Sequence, residues 1–276
     1  MKEKVMGYKL IASDLDETLI GHDRKINQRN LDAIRKFTEQ GGKFVPTTGR
    51  GFVSIQEDTL ETLGLRGLKD QYTISYNGGM INENDGKLFK LTPLPFDLAQ
   101  ELFKRGLTYP VGIHVYTPDT VYVMNMTDEM MEVVEGRLKV TVSEEKSLDF
   151  LRGQQIVKIL YDNPDFAYLK RIRQDFEDVE DQLEISYSSN RYLEFNPKGV
   201  DKGTGLKFLC EKLGIDIKDA IAIGDNFNDL AMIKAAGLGA GVANVDPDVA
   251  KDCDYVAESD CDQGGVAEII EKFALK

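Results

Sequence analysis

The sequence predicts an α/β protein: a parallel-sheet core interrupted by an inserted α+β domain. Three observations lead there. Strand and helix signals alternate through the first eighty residues or so, and again after Asp201. Between those stretches the pattern changes to hairpins mixed with helices. Two apolar runs end abruptly in acidic loops, Leu10–Ser13 before Asp14-Leu15-Asp16 and Ala220–Ile223 before Gly224-Asp225. Strand–helix alternation favours a parallel sheet with right-handed crossovers. Hairpins favour antiparallel pairing.

The elements follow in order. Tyr8–Ser13 reads as a strand, and Asn27 as the cap of a helix to about Gln40, stopped by Gly41-Gly42. Lys43–Thr47 is a second strand, Gly51 to Leu63 a helix, and Gln71–Tyr76 a third strand ended by Asn77-Gly78-Gly79. Asn84-Asp85-Gly86 signals a hairpin between Met80–Ile81 and Lys87–Leu91. The middle stretch then predicts helices near Phe96–Leu107, Asp128–Gly136 and Pro164–Phe176. It also predicts a Gly112–Tyr116/Val121–Asn125 hairpin and strands at Gln155–Tyr161, Glu184–Ser188 and Tyr192–Phe195. After Asp201 come a helix (Lys202–Leu213), strands at Ala220–Ile223, Leu238–Val242 and Asp254–Ala257, and helices at Asn228–Ala235 and Val266–Phe273. The core is therefore assigned to residues 1–82 and 191–276, and the insertion to 83–190. No internal repeat or low-complexity segment is visible.

Composition narrows the function. Net charge is −13, from 34 basic and 47 acidic residues, which argues against nucleic acid and anionic membrane surfaces as partners. No run approaches the roughly 20 apolar residues of a membrane helix, and the first seven residues carry no apolar signal core. Cys210, Cys253 and Cys261 show no metal-ligand spacing and read as reduced thiols of a cytoplasmic protein. His22 and His114 are the two histidines, too few to favour a histidine-based hydrolase or a zinc site.

Chemistry concentrates at four strand or helix ends. Asp14 and Asp16 stand two apart, so a strand would aim both carboxylates the same way. They would emerge at its carboxyl end, where open α/β sheets bind ligands. Two carboxylates at one spot call for a cation, and oxygen ligands suit Mg²⁺. An aspartate there could attack phosphorus. A helix cap or a solvated turn explains the short motif equally well. Thr48-Gly49-Arg50 offers a hydroxyl and an accessible N–H to a phosphate oxygen, or a plain helix cap. Lys202 opens a helix, where the dipole disfavours a cation. That placement hints at a charge to neutralise, although a solvated lysine would also fit. Asp225, Asn228 and Asp229 crowd one loop, more than a cap needs and suited to a hard cation.

Together, in this order, these pieces resemble the haloacid dehalogenase superfamily of Mg²⁺-dependent phosphotransferases. The resemblance rests on Asp14-Leu15-Asp16-Glu17-Thr18, Thr48-Gly49-Arg50, Lys202-Gly203 and Gly224-Asp225-Asn226-Phe227-Asn228-Asp229, and spans essentially the whole chain. The long insertion resembles the α+β cap of the Cof-type sugar-phosphatase branch. Tyr76-Asn77-Gly78-Gly79 resembles that branch's Asn-Gly-Ala passage into the cap, with Gly79 in place of alanine; Glu17 stands where glycine is usual.

The resemblance implies a Rossmann-like core and a role for each residue. Asp14 would be the nucleophile and Asp16 the general acid and then base. Thr48 and the Gly49 amide would hold phosphoryl oxygens, Lys202 would link nucleophile and phosphate, and Asn228 would lie near phosphate. Asp14, the Asp16 carbonyl, Asp225 and Asp229 would serve Mg²⁺. The implied substrates are small phosphorylated metabolites, sugar phosphates first, with flavin-pathway and pyridoxal phosphates beside them. A phosphomutase and a non-enzymatic phospho-acceptor or ligand-sensing module are the alternatives. His114, Tyr116 and Arg191 are candidates for facing the ligand from the cap, with a solvated hairpin position the other reading of Arg191. Oligomeric state is not legible.

Overall fold

The computed structural model describes residues 7–134 and 140–275. The chain forms two compact units: one from the chain up to Phe89 and from Asp201 onward, the other from Lys90–Val200. The first begins β1 (Leu10–Ser13), α1 (Gln28–Glu39), β2 (Lys43–Pro46), α2 (Phe52–Ile55), β3 (Tyr72–Ser75), β4 (Met80–Glu83) and β5 (Leu88–Leu91). The second contains α3 (Phe96–Gly106), β6 (Gly112–Tyr116), β7 (Val121–Met124), α4 (Asp128–Val134), β8 (Val140–Val142), β9 (Lys158–Asp162), α5 (Phe166–Ile172), β10 (Leu183–Ser188) and β11 (Tyr192–Pro197). The first unit resumes with α6 (Lys202–Leu213), β12 (Ala220–Gly224), α7 (Leu230–Ala235), β13 (Leu238–Gly241), α8 (Pro247–Ala250), β14 (Tyr255–Val256) and α9 (Gly265–Ile269).

The first unit is built on a five-stranded parallel sheet, ordered β14-β13-β12-β1-β2. Every residue of β1 and β12 is buried, as expected of central parallel strands covered on both faces. In α1 the buried Ala33, Ile34 and Phe37 form one apolar stripe, and Asn27 caps the helix by accepting the Arg29 N–H. The third strand differs from expectation. It belongs to an antiparallel β3-β4-β5 sheet and meets β2 through one parallel bridge, Thr47 to Ile74. Upstream of that bridge the Gln71 side chain takes the place of a backbone ladder, accepting the Phe44 N–H at 3.2 Å and donating to the Gly42 carbonyl at 3.1 Å. After β3, Tyr76, Asn77 and Gly78 take left-handed backbone angles that turn the chain back into β4.

The second unit carries a six-stranded sheet, ordered β10-β11-β9-β6-β7-β8. Side chains alternate across it. Ile113, Val115, Ile159, Tyr161, Leu193 and Phe195 join a core with Leu102, Phe103 and Leu169 of the helices. The alternate positions His114, Lys158, Asp162 and Glu194 are polar yet buried. Arg191 is not a solvated hairpin residue: its Nε lies 2.6 Å from the fully buried Asp162 carboxylate. Strand β11 pairs with β9 and β10, so the second changeover follows Val200 instead of Asn190. The first follows Phe89, within β5, instead of residue 82.

Other differences are local. The helix expected over 51–63 is α2 continued by a π turn, Gln56–Leu60. Strand β9 starts only at Lys158, because Ile156 bridges instead to Leu94. Helix α5, capped by Asp165, gives way to a 3₁₀ stretch, Arg173–Gln182. The short β8, parallel to β7, carries too little pattern to be foreseen. The end of the expected 128–136 helix and most of the amino-terminal segment read for a signal core lie outside the described residues. Among the described residues no helix is long and apolar enough to cross a membrane.

Candidate active site

Strands β1 and β12 pair in parallel, Ser13 opposite Ile223, and the Asp14 N–H continues the ladder to the Ile223 carbonyl at 2.9 Å. Asp14 and the loop from Gly224 therefore leave the sheet side by side at its carboxyl edge. Gly224 permits a close approach: a Cβ there would meet the Asp229 Cβ at 2.4 Å. Asp229 folds back over the strand end, its Oδ2 accepting the N–H groups of Asp225 (3.0 Å) and Asn226 (3.1 Å).

Helix α6 supplies the cation. Asp201 caps it in a reciprocal box with Thr204. Gly203 lets it press against α7, since a Cβ would come within 2.4 Å of the Ala231 carbonyl oxygen. Lys202 is thereby driven inside, with no exposed surface. Its Nζ donates to Asp14 Oδ1 and, at 2.6 Å, to Asp229 Oδ1. The unfavourable dipole position noticed in the sequence is thus outweighed by two buried carboxylates.

Asp14, Asp225 and Asp229 offer carboxylate oxygens within 4.8 Å of one another, all buried. Burial pushes the Asp14 carboxyl well above its usual range; Lys202 opposes this, while Asp229, Asp225 and Asp16 add to it. Burial and then Asp229 raise Asp225 to about 7, against a hydrogen bond from the Thr18 hydroxyl at 2.5 Å. Burial alone would lower Lys202, but Asp14 and Asp229 reverse the sign and raise it. Three carboxylates face one ammonium, so the cluster is short of positive charge. Its all-oxygen donor set fits a hard divalent cation.

The remaining predicted residues are distributed around this cluster. Asp16 does not share Asp14's partners: its carboxylate is half-exposed and held by Arg50, Nε to Oδ2 at 3.0 Å. Extended geometry ends at Ser13 and Glu17 is left-handed, so the same-side rule for strands stops short of Asp16. The Thr47 N–H pairs with the Ser13 carbonyl at 2.8 Å, which brings the β2 end beside Asp14. Thr48 is buried there and its Oγ1 accepts the Arg50 N–H at 3.1 Å. Gly49 lies against Asn77, whose Oδ1 a Cβ would meet at 3.2 Å. Asn228 is half-buried in the Phe227–Asp229 turn. Sequence reasoning gave no role to Arg50 or Thr18. Both sit inside the recognised motifs, but their partners depend on turn geometry that spacing does not encode.

Known proteins resemble this chain along nearly its whole length. The family of haloacid dehalogenase-like hydrolases matches residues 11–270. A relative from Streptococcus pyogenes serotype M6 is 33% identical over 279 residues, covering 98% of this chain and all of that one. The 5-amino-6-(5-phospho-D-ribitylamino)uracil phosphatase YcsE of Bacillus subtilis is 29% identical, over 97% of this chain and 96% of its own. Among solved structures, a haloacid dehalogenase-like hydrolase from Bacteroides thetaiotaomicron is 30% identical and superposes with a TM-score of 0.83 over 96% of this chain and 99% of that one. With the parallel sheet and the strand-end motifs in place, the chain belongs to the haloacid dehalogenase-like hydrolases, as a phosphatase of the Cof-type branch.

Proposed function

We propose that the chain is a Mg²⁺-dependent phosphatase of small phosphorylated metabolites, sugar phosphates foremost, acting through an aspartyl-phosphate on Asp14. The observation that carries this reading is the buried Asp14–Lys202–Asp229 cluster with Asp225 beside it. Asp14, Asp225 and Asp229, with the Asp16 carbonyl, would hold Mg²⁺, which when bound supplies positive charge against the phosphoryl oxygens.

Asp14 Oδ attacks phosphorus while the ester oxygen leaves, taking a proton from Asp16. Asp16 then removes a proton from water, which attacks the aspartyl-phosphate; inorganic phosphate leaves and Asp14 is regenerated. Lys202 counters the repulsion between carboxylate and phosphate during the approach. Thr48 and the Gly49 amide receive phosphoryl oxygens, with Asn228 nearby. Arg50 holds the Asp16 carboxylate before substrate arrives. The sugar-phosphate class is consistent with the phosphorylated ribityl chain in YcsE's substrate. Three free cysteines fit a cytoplasmic location.

The test is phosphate release from p-nitrophenyl phosphate. Chelation should silence it and Mg²⁺ should restore it, while Ca²⁺, with its longer and looser bonds, substitutes poorly. Full activity after exhaustive chelation contradicts the reading. A panel of phosphorylated metabolites then ranks substrates, and phosphoryl return to a sugar without phosphate release would mark a mutase.

A further inference from the structure

The fold brings together three side chains that the sequence keeps far apart. His22 follows the Asp14–Ile20 turn, whereas Cys261 and Asp262 precede α9. His22 Nδ1 lies 2.7 Å from Asp262 Oδ2 and 3.6 Å from Cys261 Sγ. Ligand atoms of the three lie within 4.8 Å of one another. The cluster shares no residue with the catalytic one.

Its donors are held by the backbone around them. The His22 N–H donates to Asp262 Oδ1 at 2.9 Å, and the Asn27 amide to the Asp262 carbonyl at 2.7 Å. The Cys261 N–H donates to Asn244 Oδ1 at 3.0 Å. Gly21 makes room, since a Cβ there would lie 2.3 Å from Asp262 Oδ1. The cluster lies in an open surface depression, which Asp23 and Lys25 also line.

We propose that His22, Cys261 and Asp262 form a second metal site, selective for a zinc-class divalent ion. One imidazole, one thiol and one carboxylate are a borderline-soft donor set that Mg²⁺ disfavours. Zinc sits about 2.0–2.1 Å from imidazole nitrogen and about 2.3 Å from thiolate sulfur, so tetrahedral geometry separates the two by about 3.6 Å. That is the spacing between His22 and Cys261. The closer His22–Asp262 contact is a hydrogen bond that binding must open, to about 3.3 Å by the same bond lengths. His22 is exposed enough to turn. Binding releases the Cys261 thiol proton, and any second imidazole proton, to solvent; water completes the tetrahedron. A bound ion would pin the loop following β1 to the loop preceding α9.

The test titrates Co²⁺ into the purified full-length protein with Mg²⁺ saturating the oxygen-donor site. A thiolate-to-cobalt charge-transfer band should saturate at one ion per chain and vanish when Zn²⁺ is added. In Cys261→Ser the band should disappear, and in His22→Gln the affinity should fall about tenfold or more, as for losses around other metal sites. Both variants should keep their Mg²⁺-dependent phosphate release, which separates this site from the catalytic one. Absence of a thiolate band at millimolar Co²⁺, or a band that survives in Cys261→Ser, would overturn the proposal.

Discussion

Both units bury charge, and they do so in opposite ways. In the first, the carboxylates of Asp14, Asp225 and Asp229 surround the single ammonium of Lys202. In the second, the buried charges pair one to one, Lys158 with Glu194 at 2.8 Å and Arg191 with Asp162 at 2.6 Å. The first arrangement is electrostatically unfinished and favours an incoming cation. The second is balanced without one. Buried pairs add little net stability but cost heavily when one partner is removed. Unbalanced charge is therefore concentrated where the parallel strands end, and the six-stranded sheet carries matched pairs.

Breaking this contrast on the first side should have the largest effect. Asp14→Asn keeps the shape but removes both the proposed nucleophile and one of three crowded carboxylates. Phosphate release should fall more than about a thousandfold, as for other lost nucleophiles, while the melting temperature holds or rises. A variant that keeps several per cent of the activity would undo the assignment.

On the second side, Arg191→Ala should destabilise the Lys90–Val200 unit by about 3–5 kcal/mol, because Asp162 is left buried without its cation. Adding Asp162→Asn should recover much of that loss. Denaturant unfolding of the two variants measures it, and a neutral Arg191→Ala would show that the pair is dispensable. Exchanging residues 90–200 for the corresponding segment of a related phosphatase sharpens the division of labour. The order of preferred substrates should follow the inserted segment, while Mg²⁺ dependence and sensitivity to Asp14→Asn stay with the core. A folded chimera that keeps the parental order would contradict this.

A smaller effect concerns pH. Burial lowers the His114 pKa, against the pull of Asp162; Lys158 and Arg191 lower it further. Below the unfolded value near 6.5 the unfolded chain gains a proton that folded His114 refuses, so stability is lost as pH falls through that value toward the lowered one. His114→Leu should flatten this dependence as pH falls below about 6.5. Equal slopes in both proteins would exclude His114 as the cause.

How legible these regions were follows the same division. The charged residues where strands end announce themselves, because apolar runs stop in acidic loops and Lys202 sits where a helix disfavours it. The buried polar face of the second sheet is silent in sequence. His114 lies on β6, Asp162 on β9 and Arg191 between β10 and β11, and only strand order joins them. Arg191 therefore read as a solvated hairpin residue or a ligand contact, and proved to be the partner of Asp162. The pairing of β3 was hidden because its four alternating residues, Tyr72-Thr73-Ile74-Ser75, match either a parallel or an antiparallel neighbour. The backbone turn at Tyr76-Asn77-Gly78 decides between them.

The central claim is that Asp14 accepts the phosphoryl group, and one measurement addresses it most directly. Asp16→Asn removes the proposed base for the second step, but nitrophenolate is a leaving group good enough to depart without an acid. Mixed rapidly with p-nitrophenyl phosphate and Mg²⁺, this variant should release a burst of about one nitrophenolate per chain, the kinetic mark of a covalent intermediate. Acid quench and peptide mass mapping should then find the phosphoryl group on the peptide containing Asp14. No burst, or a phosphoryl group on any other residue, would contradict the account.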